Sequence, residues 1–426
     1  MAGGGRRRSS AHAGWGIVGA DKCCETVCTV SAQRRRELEL CMRIAFYAPL
    51  KSPAHPTPSG DRRVARLYVE ALVAAGHEVE LVSNLRSFDG VGDPAVQLAV
   101  RSEGEAQAKA LVLGWGGGSA ATAPALWFTY HVYYKAPDWI GPAVSKSLGI
   151  PYAIAEASYA AKRAAGGWAD GHAAATHAIR AADLLVCPTR DDMVGLRQAA
   201  GARANLLYLP PFLDPAPYRD AARQRAFHRN GLAACWRLEP AVPWIIVSAM
   251  MRLGDKLASY RMLARTLGQL TDLRWNMLVA GAGPAADTVR SVLDAAAPGR
   301  VRFAGECSAA ELAAMYAASD LCVWPAVNEA YGMAMLEAQA AGTPVVSCAN
   351  RGVVDVVRDG ETGLLAPAGD EPGLALRIRH MLQDAALRTA LGSAAAKMVV
   401  EERSTGHAAR SLADAIAALQ SRRLAA

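Results

Sequence analysis

The chain has 426 residues, of which 52% are hydrophobic and 20% charged, with a formal net charge of +7. At ~150 residues per domain the length suggests two or three domains, and the apolar content excludes global disorder. The 38 Gly and 22 Pro follow no period, which excludes a collagen-like chain.

Residues 1–41 contribute +3 of the net charge. The remainder is too thinly spread for a nucleic-acid surface, but it suits anionic small ligands or a peripheral contact with acidic membrane. Four of the nine cysteines (Cys23, Cys24, Cys28, Cys41) fall in this leader; Cys187, Cys235, Cys307, Cys322 and Cys348 stand singly in apolar stretches. That usage fits a reduced, cytoplasmic chain with buried thiols, and the missing C-x2-C spacing argues against a metal site.

Residues 1–41 carry Gly3–Gly5, Arg6–Arg8 and Arg34–Arg36 and read as a disordered leader or an upstream start. No stretch reaches the ~18 unbroken apolar residues of a membrane span. From Met42 the pattern becomes regular. Arg43–Ala48 reads as a buried strand, Pro49–Gly60 as a Pro-rich loop (Pro53, Pro56, Pro58), Asp61–Ala75 as a helix stopped by Gly76, and Glu78–Ser83 as the next strand. Further strands are expected near Ala125–Thr129, Tyr152–Ala155 and Leu184–Val186.

Six prolines between Pro210 and Pro243 break the pattern and mark a linker, 213–242, with a short helix. A second series of strands follows at Trp244–Ala249, Trp275–Ala280, Val301–Phe303, Leu321–Trp324, Pro344–Ser347 and Gly363–Ala366. The last helix is Thr405–Ser421. Strands without polar alternation, interleaved with helices, predict α/β architecture: two doubly wound Rossmann-like domains, 42–212 and 243–404, followed by a terminal segment, 405–426. A ligand is expected at the carboxyl ends of the strands.

The segment Asn328–Pro344, NEAYGMAMLEAQAAGTP, places a glycine, Gly332, and then a helix directly after a strand. Free N–H groups near Tyr331–Met333, together with the helix dipole, favour an anion such as a diphosphate. Glu329 and Glu337 flank that site as acceptors for paired sugar hydroxyls. Leu278–Ala286, LVAGAGPAA, contains G-x-G-x-x-A with Gly281 and Gly283, a dinucleotide fingerprint that leaves a nucleotide-dependent oxidoreductase open. Trp127–Trp139 holds six aromatic rings and His131, either a sugar-stacking surface or a core strand. Arg62, Arg63 and Arg66 read as a solvated or membrane-facing helix face.

Together, Val301–Asp370 resembles the Glu-x7-Glu region of family 4 glycosyltransferases (the group 1 domain), which have the GT-B fold. Met42–Ser83 resembles that family's amino-terminal βαβ unit, so the resemblance spans about Met42–Gln420. It implies retaining, metal-independent transfer from a nucleoside diphosphate sugar to an acceptor hydroxyl in an interdomain cleft. No cofactor beyond that co-substrate is implied, and the acceptor would be a glycan or lipid-linked.

By the same resemblance Glu337 holds the ribose diol and Glu329 meets hydroxyls of the donor sugar. Backbone N–H groups of Ala330, Tyr331, Gly332 and Met333 touch sugar and diphosphate. Arg252 and Lys256 neutralise the leaving group, though three residues separate them where the family has four, and Leu257 stands where glycine is usual. Gly281 and Gly283 line the nucleotide, and the loop at Gly60 approaches the donor. Relatives often carry a histidine after the strand at Tyr152; here Glu156 stands there, so Glu156 or His131 takes the polar role on the acceptor side. The terminal helix returns to the first domain. The cytoplasm, with peripheral contact to the inner face of the membrane, is the expected location. A non-catalytic glycan- or nucleotide-binding relative is the remaining alternative.

Overall fold

In the computed structural model, residues 41–57, 59–116, 122–201 and 205–424 are described. The leader expected over residues 1–41 therefore lies outside the described residues except for Cys41, as does Pro58.

The first half alternates strand and helix: β1 (Arg43–Tyr47), α1 (Gly60–Ala74), β2 (Glu78–Ser83), α2 (Pro94–Gly116), β3 (Leu126–Val132), α3 (Gly141–Leu148), β4 (Tyr152–Ala157), α4 (Ala169–Ala181), β5 (Leu184–Cys187), α5 (Arg190–Ala200) and β6 (Asn205–Tyr208). The six strands form one parallel sheet in the order β2-β1-β3-β4-β5-β6. Its two faces are covered by separate cores. One holds Ile44, Phe46, Phe128 and Tyr130 beneath α1; the other holds Tyr47, Trp127 and Ile154 beneath α3 and α4. Burial on both faces explains why central strands such as β1 and β5 read as apolar runs, whereas the edge strand β2, with Glu78 and Glu80 exposed, alternates.

The segment read as a linker with one short helix folds differently. It forms two helices, α6 (Ala216–Arg223) and α7 (Arg225–Trp236). The second half continues with β7 (Trp244–Ser248), α8 (Asp255–Leu267), β8 (Asn276–Ala280), α9 (Ala286–Ala296), β9 (Val301–Gly305), α10 (Ala309–Ala318), β10 (Leu321–Trp324), α11 (Met333–Ala340), β11 (Val345–Cys348), β12 (Gly363–Ala366), α12 (Glu371–Gln383), α13 (Ala385–Glu402) and α14 (Thr405–Leu424). The basic residues of α7 serve α10. Arg229 donates to the Ala318 carbonyl at 2.7 Å and to Asp320 at 2.8 Å, and Arg225 donates to Asp320 at 2.6 Å. Cations at a helix carboxyl end meet its orphan carbonyls and its dipole. That interaction docks the segment on the second domain.

The second sheet is also parallel, in the order β12-β11-β10-β7-β8-β9. Counted within the domain this is 3-2-1-4-5-6 read from the far edge, the dinucleotide-domain order. The last helix, α14, leaves this domain and buries Ala408, Leu412, Ile416 and Leu419 in the core beneath α1. No described helix is long and apolar enough to cross a membrane.

Candidate functional site

Both sheets reverse their strand order at one place. The switch lies between β1 and β3 in the first sheet and between β7 and β10 in the second. In open α/β sheets the crevice outside the carboxyl ends at such a point is where ligands sit. The charged residues of interest follow these four strands, and ion pairs and hydrogen bonds join the two walls.

On the second-domain wall, β10 ends at Trp324 and the chain turns through Ala326 and Asn328, both in the left-handed region at φ 57° and 50°. Non-glycine residues rarely adopt this conformation, and they concentrate where a loop is held to a functional shape. The turn delivers Glu329, which ion-pairs with Lys256 on α8 and accepts from Trp324 Nε1 at 3.1 Å. Lys256 Nζ also lies 5.5 Å from the Trp324 ring centroid. Gly332, at φ 73°, caps α11. Among the described residues, the N–H groups of Ala330, Tyr331 and Gly332 donate to no protein acceptor. Arg252 is exposed and, among the described residues, forms no ion pair.

Glu337, on α11, is only 3% exposed. It ion-pairs with Arg63 of α1, and Arg63 also donates to the Tyr218 hydroxyl at 2.9 Å. Burial raises the Glu337 carboxyl above its ordinary range, against the opposing charge of Arg63. The reading of Arg62, Arg63 and Arg66 as a solvated or membrane-facing surface is therefore corrected. Arg63 crosses the cleft, and Arg66 donates to the Pro53 carbonyl at 2.8 Å. The signal was present in the sequence, because Arg63 shares the buried stripe of α1 with Leu67 and Ala71 at i+4 and i+8. Tyr218 carried no such signal, since the short helix expected within 213–242 had no bounds.

Gly281 and Gly283 bring two loops together. A side chain at either position would overlap a backbone carbonyl, of Ala249 or Met251 respectively, in the loop that carries Arg252. Their φ angles, 143° and 152°, are ones that side-chain-bearing residues rarely adopt. A second close approach supports the donor-side turn, where Gly352 packs directly on the Ala330 carbonyl. Gly60 has open space around it at the start of α1, after Ser59, whose hydroxyl caps the helix at Arg62 N.

The first-domain wall depends on a paired kink. His131 on β3 and Glu156 on β4 are both left-handed, at φ 63° and 57°. The register pairs Tyr130 with Ala155 and Val132 with Ala157, so the two kinks stand side by side. Side chains alternate faces along a strand. Phe128 and Tyr130 lie in the core beneath α1, as does Ala155, yet Val132 and Ala157 lie in the opposite core. Alternation thus slips by one at 131 and 156.

His131 Nδ1 sits 3.3 Å from Asp61 Oδ1 and 3.5 Å from Glu156 Oε1. Glu156 Oε2 accepts from the Tyr331 hydroxyl of the second domain at 2.8 Å. Burial raises the Glu156 carboxyl. Burial works against the His131 charge, but Glu156 and then Asp61 outweigh it and raise His131 above its ordinary value. Burial lowers the Lys51 ammonium; Asp61 opposes this, whereas Arg86, Arg252 and Arg62 reinforce it, so these cations share one field.

The aromatic run divides. Trp127, Phe128 and Tyr130 are core residues, which leaves the partly exposed Tyr133, Tyr134 and Trp139 for any stacking on a sugar. Among the described residues no cluster of His, Cys, Asp or Glu is placed to hold a metal ion.

Comparison with known proteins gives the following. Residues 245–384 match a family model described as glycosyl transferases group 1. The chain is 28% identical over 384 residues to D-inositol 3-phosphate glycosyltransferase 1 of Catenulispora acidiphila, covering 83% of this chain and 90% of that one. A D-inositol 3-phosphate glycosyltransferase of Streptomyces avermitilis is likewise 28% identical, with 85% of each chain covered. Among solved structures, sucrose-phosphate synthase from Thermosynechococcus elongatus superposes with a TM-score of 0.64 at 20% identity, covering 89% of this chain and all of that one. Anabaena HepE, in complex with UDP-glucose, gives a TM-score of 0.64 at 17% identity, covering 88% of this chain and all of HepE. At these identities the structural likeness speaks to the fold.

Proposed function

We propose that the chain, whose residues 245–384 match the group 1 glycosyltransferases and whose fold is GT-B, transfers a sugar from a nucleoside diphosphate sugar to an acceptor hydroxyl in the cleft. The observation that carries this reading is the second-domain wall. There Lys256 and Arg252 follow β7, Glu329 and free backbone N–H groups follow β10, and the buried Glu337 lies on α11. Glu337 takes the ribose diol, and Glu329 takes hydroxyls of the donor sugar. The amides of Ala330–Met333 meet the diphosphate, with Gly60 and the Gly281–Gly283 turn closing on the donor.

In the transfer, the bond from the anomeric carbon to the diphosphate oxygen breaks and the acceptor oxygen bonds to that carbon. The acceptor proton leaves with the departing diphosphate. Negative charge grows on the leaving oxygen, and fixed cations aimed at it lower the barrier by several kcal/mol. Arg252 and Lys256 supply that charge in place of a divalent ion, and the resemblance to family 4 glycosyltransferases supports retention of the anomeric configuration.

HepE was solved with UDP-glucose, which makes uridine diphosphate sugars the first donors to test. The curated relatives are named for D-inositol 3-phosphate. The cations Lys51, Arg62 and Arg86 around Asp61 suit an acceptor that carries a phosphate, on a glycan or lipid carrier or on a polyol. A cytoplasmic site with peripheral contact to the inner membrane face fits the net charge of +7.

The test is a thermal-shift panel with UDP, GDP and ADP, their sugar conjugates, and NAD, followed by transfer assays in EDTA with the product anomer read by NMR. A ligand at a hundred times its dissociation constant adds ~2.7 kcal/mol, which moves the melt by roughly a few degrees. A shift with one nucleoside diphosphate series supports the reading. A shift with NAD alone sinks it in favour of an oxidoreductase, and binding without transfer points to a non-catalytic relative.

A further inference from the structure

We propose that Glu156 is a positioning residue for the donor-side turn: from the first domain its carboxylate catches the Tyr331 hydroxyl and holds Ala330–Met333 in place over the start of α11. This inference rests on the proposed function for its consequence, but its geometry stands apart from it.

Three observations carry the inference. The Tyr331 hydroxyl donates to Glu156 Oε2 at 2.8 Å, a bond between residues 175 positions apart and on opposite domains. Tyr331 and Met333 pack against both the second-domain core and the core beneath α1, so this turn is the segment wedged between the two walls. The strand kink at His131 and Glu156 slips the side-chain alternation of both strands at the register where Glu156 meets Tyr331. Backbone strain of this kind persists only where the surroundings over-determine it.

The second carboxylate oxygen faces His131, which in turn faces Asp61 at the start of α1. The carboxylate is thus held between a cation-forming ring on its own sheet and a hydroxyl from the other domain. A charged acceptor makes the stronger kind of hydrogen bond. Around it lie Val64, Leu67 and Tyr68 of α1 and Phe212 of the segment leading to the second domain, an apolar surround in which water does not substitute easily. Among the described residues the N–H groups of Ala330, Tyr331 and Gly332 have no protein acceptor, and the Tyr331 side chain, with the Gly352 contact and the Glu329 pairing, fixes where those groups point.

The test uses the full chain and four variants: Glu156→Ala, Glu156→Gln, Tyr331→Phe, and the double variant Glu156→Ala/Tyr331→Phe. Hydrogen exchange of the Glu329 and Met335 amides, which donate to the Ala326 and Gly332 carbonyls at 3.1 and 3.0 Å on either side of the turn, is measured without ligand, and UDP binding is measured by calorimetry. Each of Glu156→Ala and Tyr331→Phe is expected to speed exchange in that segment by roughly tenfold, the worth of one hydrogen bond to a charged group. The double variant should add nothing further, and Glu156→Gln, which keeps an accepting oxygen without the charge, should fall between wild type and Glu156→Ala.

Unchanged exchange at Glu329 and Met335 in Tyr331→Phe overturns the proposal, and so do single effects that add in the double variant. If Glu156→Ala fails to fold, Tyr331→Phe and Glu156→Gln decide alone. UDP binding by the wild type reports on the transferase reading instead. A chain that binds no nucleotide but shows the coupled exchange keeps the catch and loses the function.

Discussion

Arg63 on α1 and Glu337 on α11 form an ion pair across the cleft, joining a half-exposed guanidinium on one domain to a buried carboxylate on the other. The residue proposed to hold the donor ribose is therefore engaged by the opposite wall, and donor binding and the closed arrangement meet at one carboxylate.

Replacing Arg63 by Ala leaves Glu337 buried with its main counter-charge removed. Breaking a buried pair at one partner costs about 3 kcal/mol, and chemical denaturation should show a loss of that order. The double variant Arg63→Ala/Glu337→Gln should recover most of it. Glu337→Ala alone is expected to weaken binding of the cognate nucleoside diphosphate by roughly 10- to 100-fold, the loss of charged hydrogen bonds, as read by calorimetry.

Lys256→Ala and Arg252→Ala should each lower kcat by about a hundredfold or more, on the scale of removing one donor that stabilises developing charge. KM for the donor should change far less. A variant that raises KM with kcat intact would place its cation in ground-state binding.

The pH dependence at His131 has a definite sign. Asp61, Glu156 and Asp192 all act on the ring, and together they outweigh burial and raise it above the ordinary histidine value of 6.5. A group raised on folding stabilises fully below its unfolded value and loses that contribution as pH climbs through the folded one. The melting-temperature gap between wild type and His131→Gln should be widest below the ordinary histidine value of 6.5 and narrow as the pH climbs above it. A gap that widens with pH would contradict the pairing.

Two glycines separate stability from function. A side chain at Gly352 would overlap the Ala330 carbonyl and stand 2.9 Å from Tyr331 Cα. Gly352→Ala should therefore cost about 1–3 kcal/mol, the range for overpacking, and displace the donor-side turn with loss of nucleotide binding. Gly60 meets nothing within 4 Å. Gly60→Ala should leave stability unchanged or raise it by about 0.5–1 kcal/mol while lowering transfer, if the donor approaches that backbone. Melting curves and transfer rates on the same preparations check both.

Much of the architecture was legible because it follows from local physics. A strand buried on both faces must be apolar throughout, so β1, β10 and β12 could be bounded to within a residue or so from composition. The strand–glycine–helix order around Glu329 and Glu337 was equally local, since a helix start after a strand end offers free amides wherever it occurs. That the segment expected to hold one short helix forms two, α6 and α7, was not legible. Six prolines around a basic stretch resemble a linker until α10 supplies the carbonyls that Arg225 and Arg229 bind.

What the sequence by itself determined is the alternation of buried strand and amphipathic helix, and with it two parallel sheets and the strand ends where charged residues gather. What only the tertiary structure decided is which of those residues meet. Arg63 and Glu337 are 274 positions apart and Glu156 and Tyr331 are 175 apart, and neither pair shares a helix or a strand. Likewise His131 and Glu156 reach the cleft because two neighbouring strands leave the extended conformation at the same register. Periodicity records the faces of a single element; it holds no information about how two domains approach each other or where a strand breaks its own alternation.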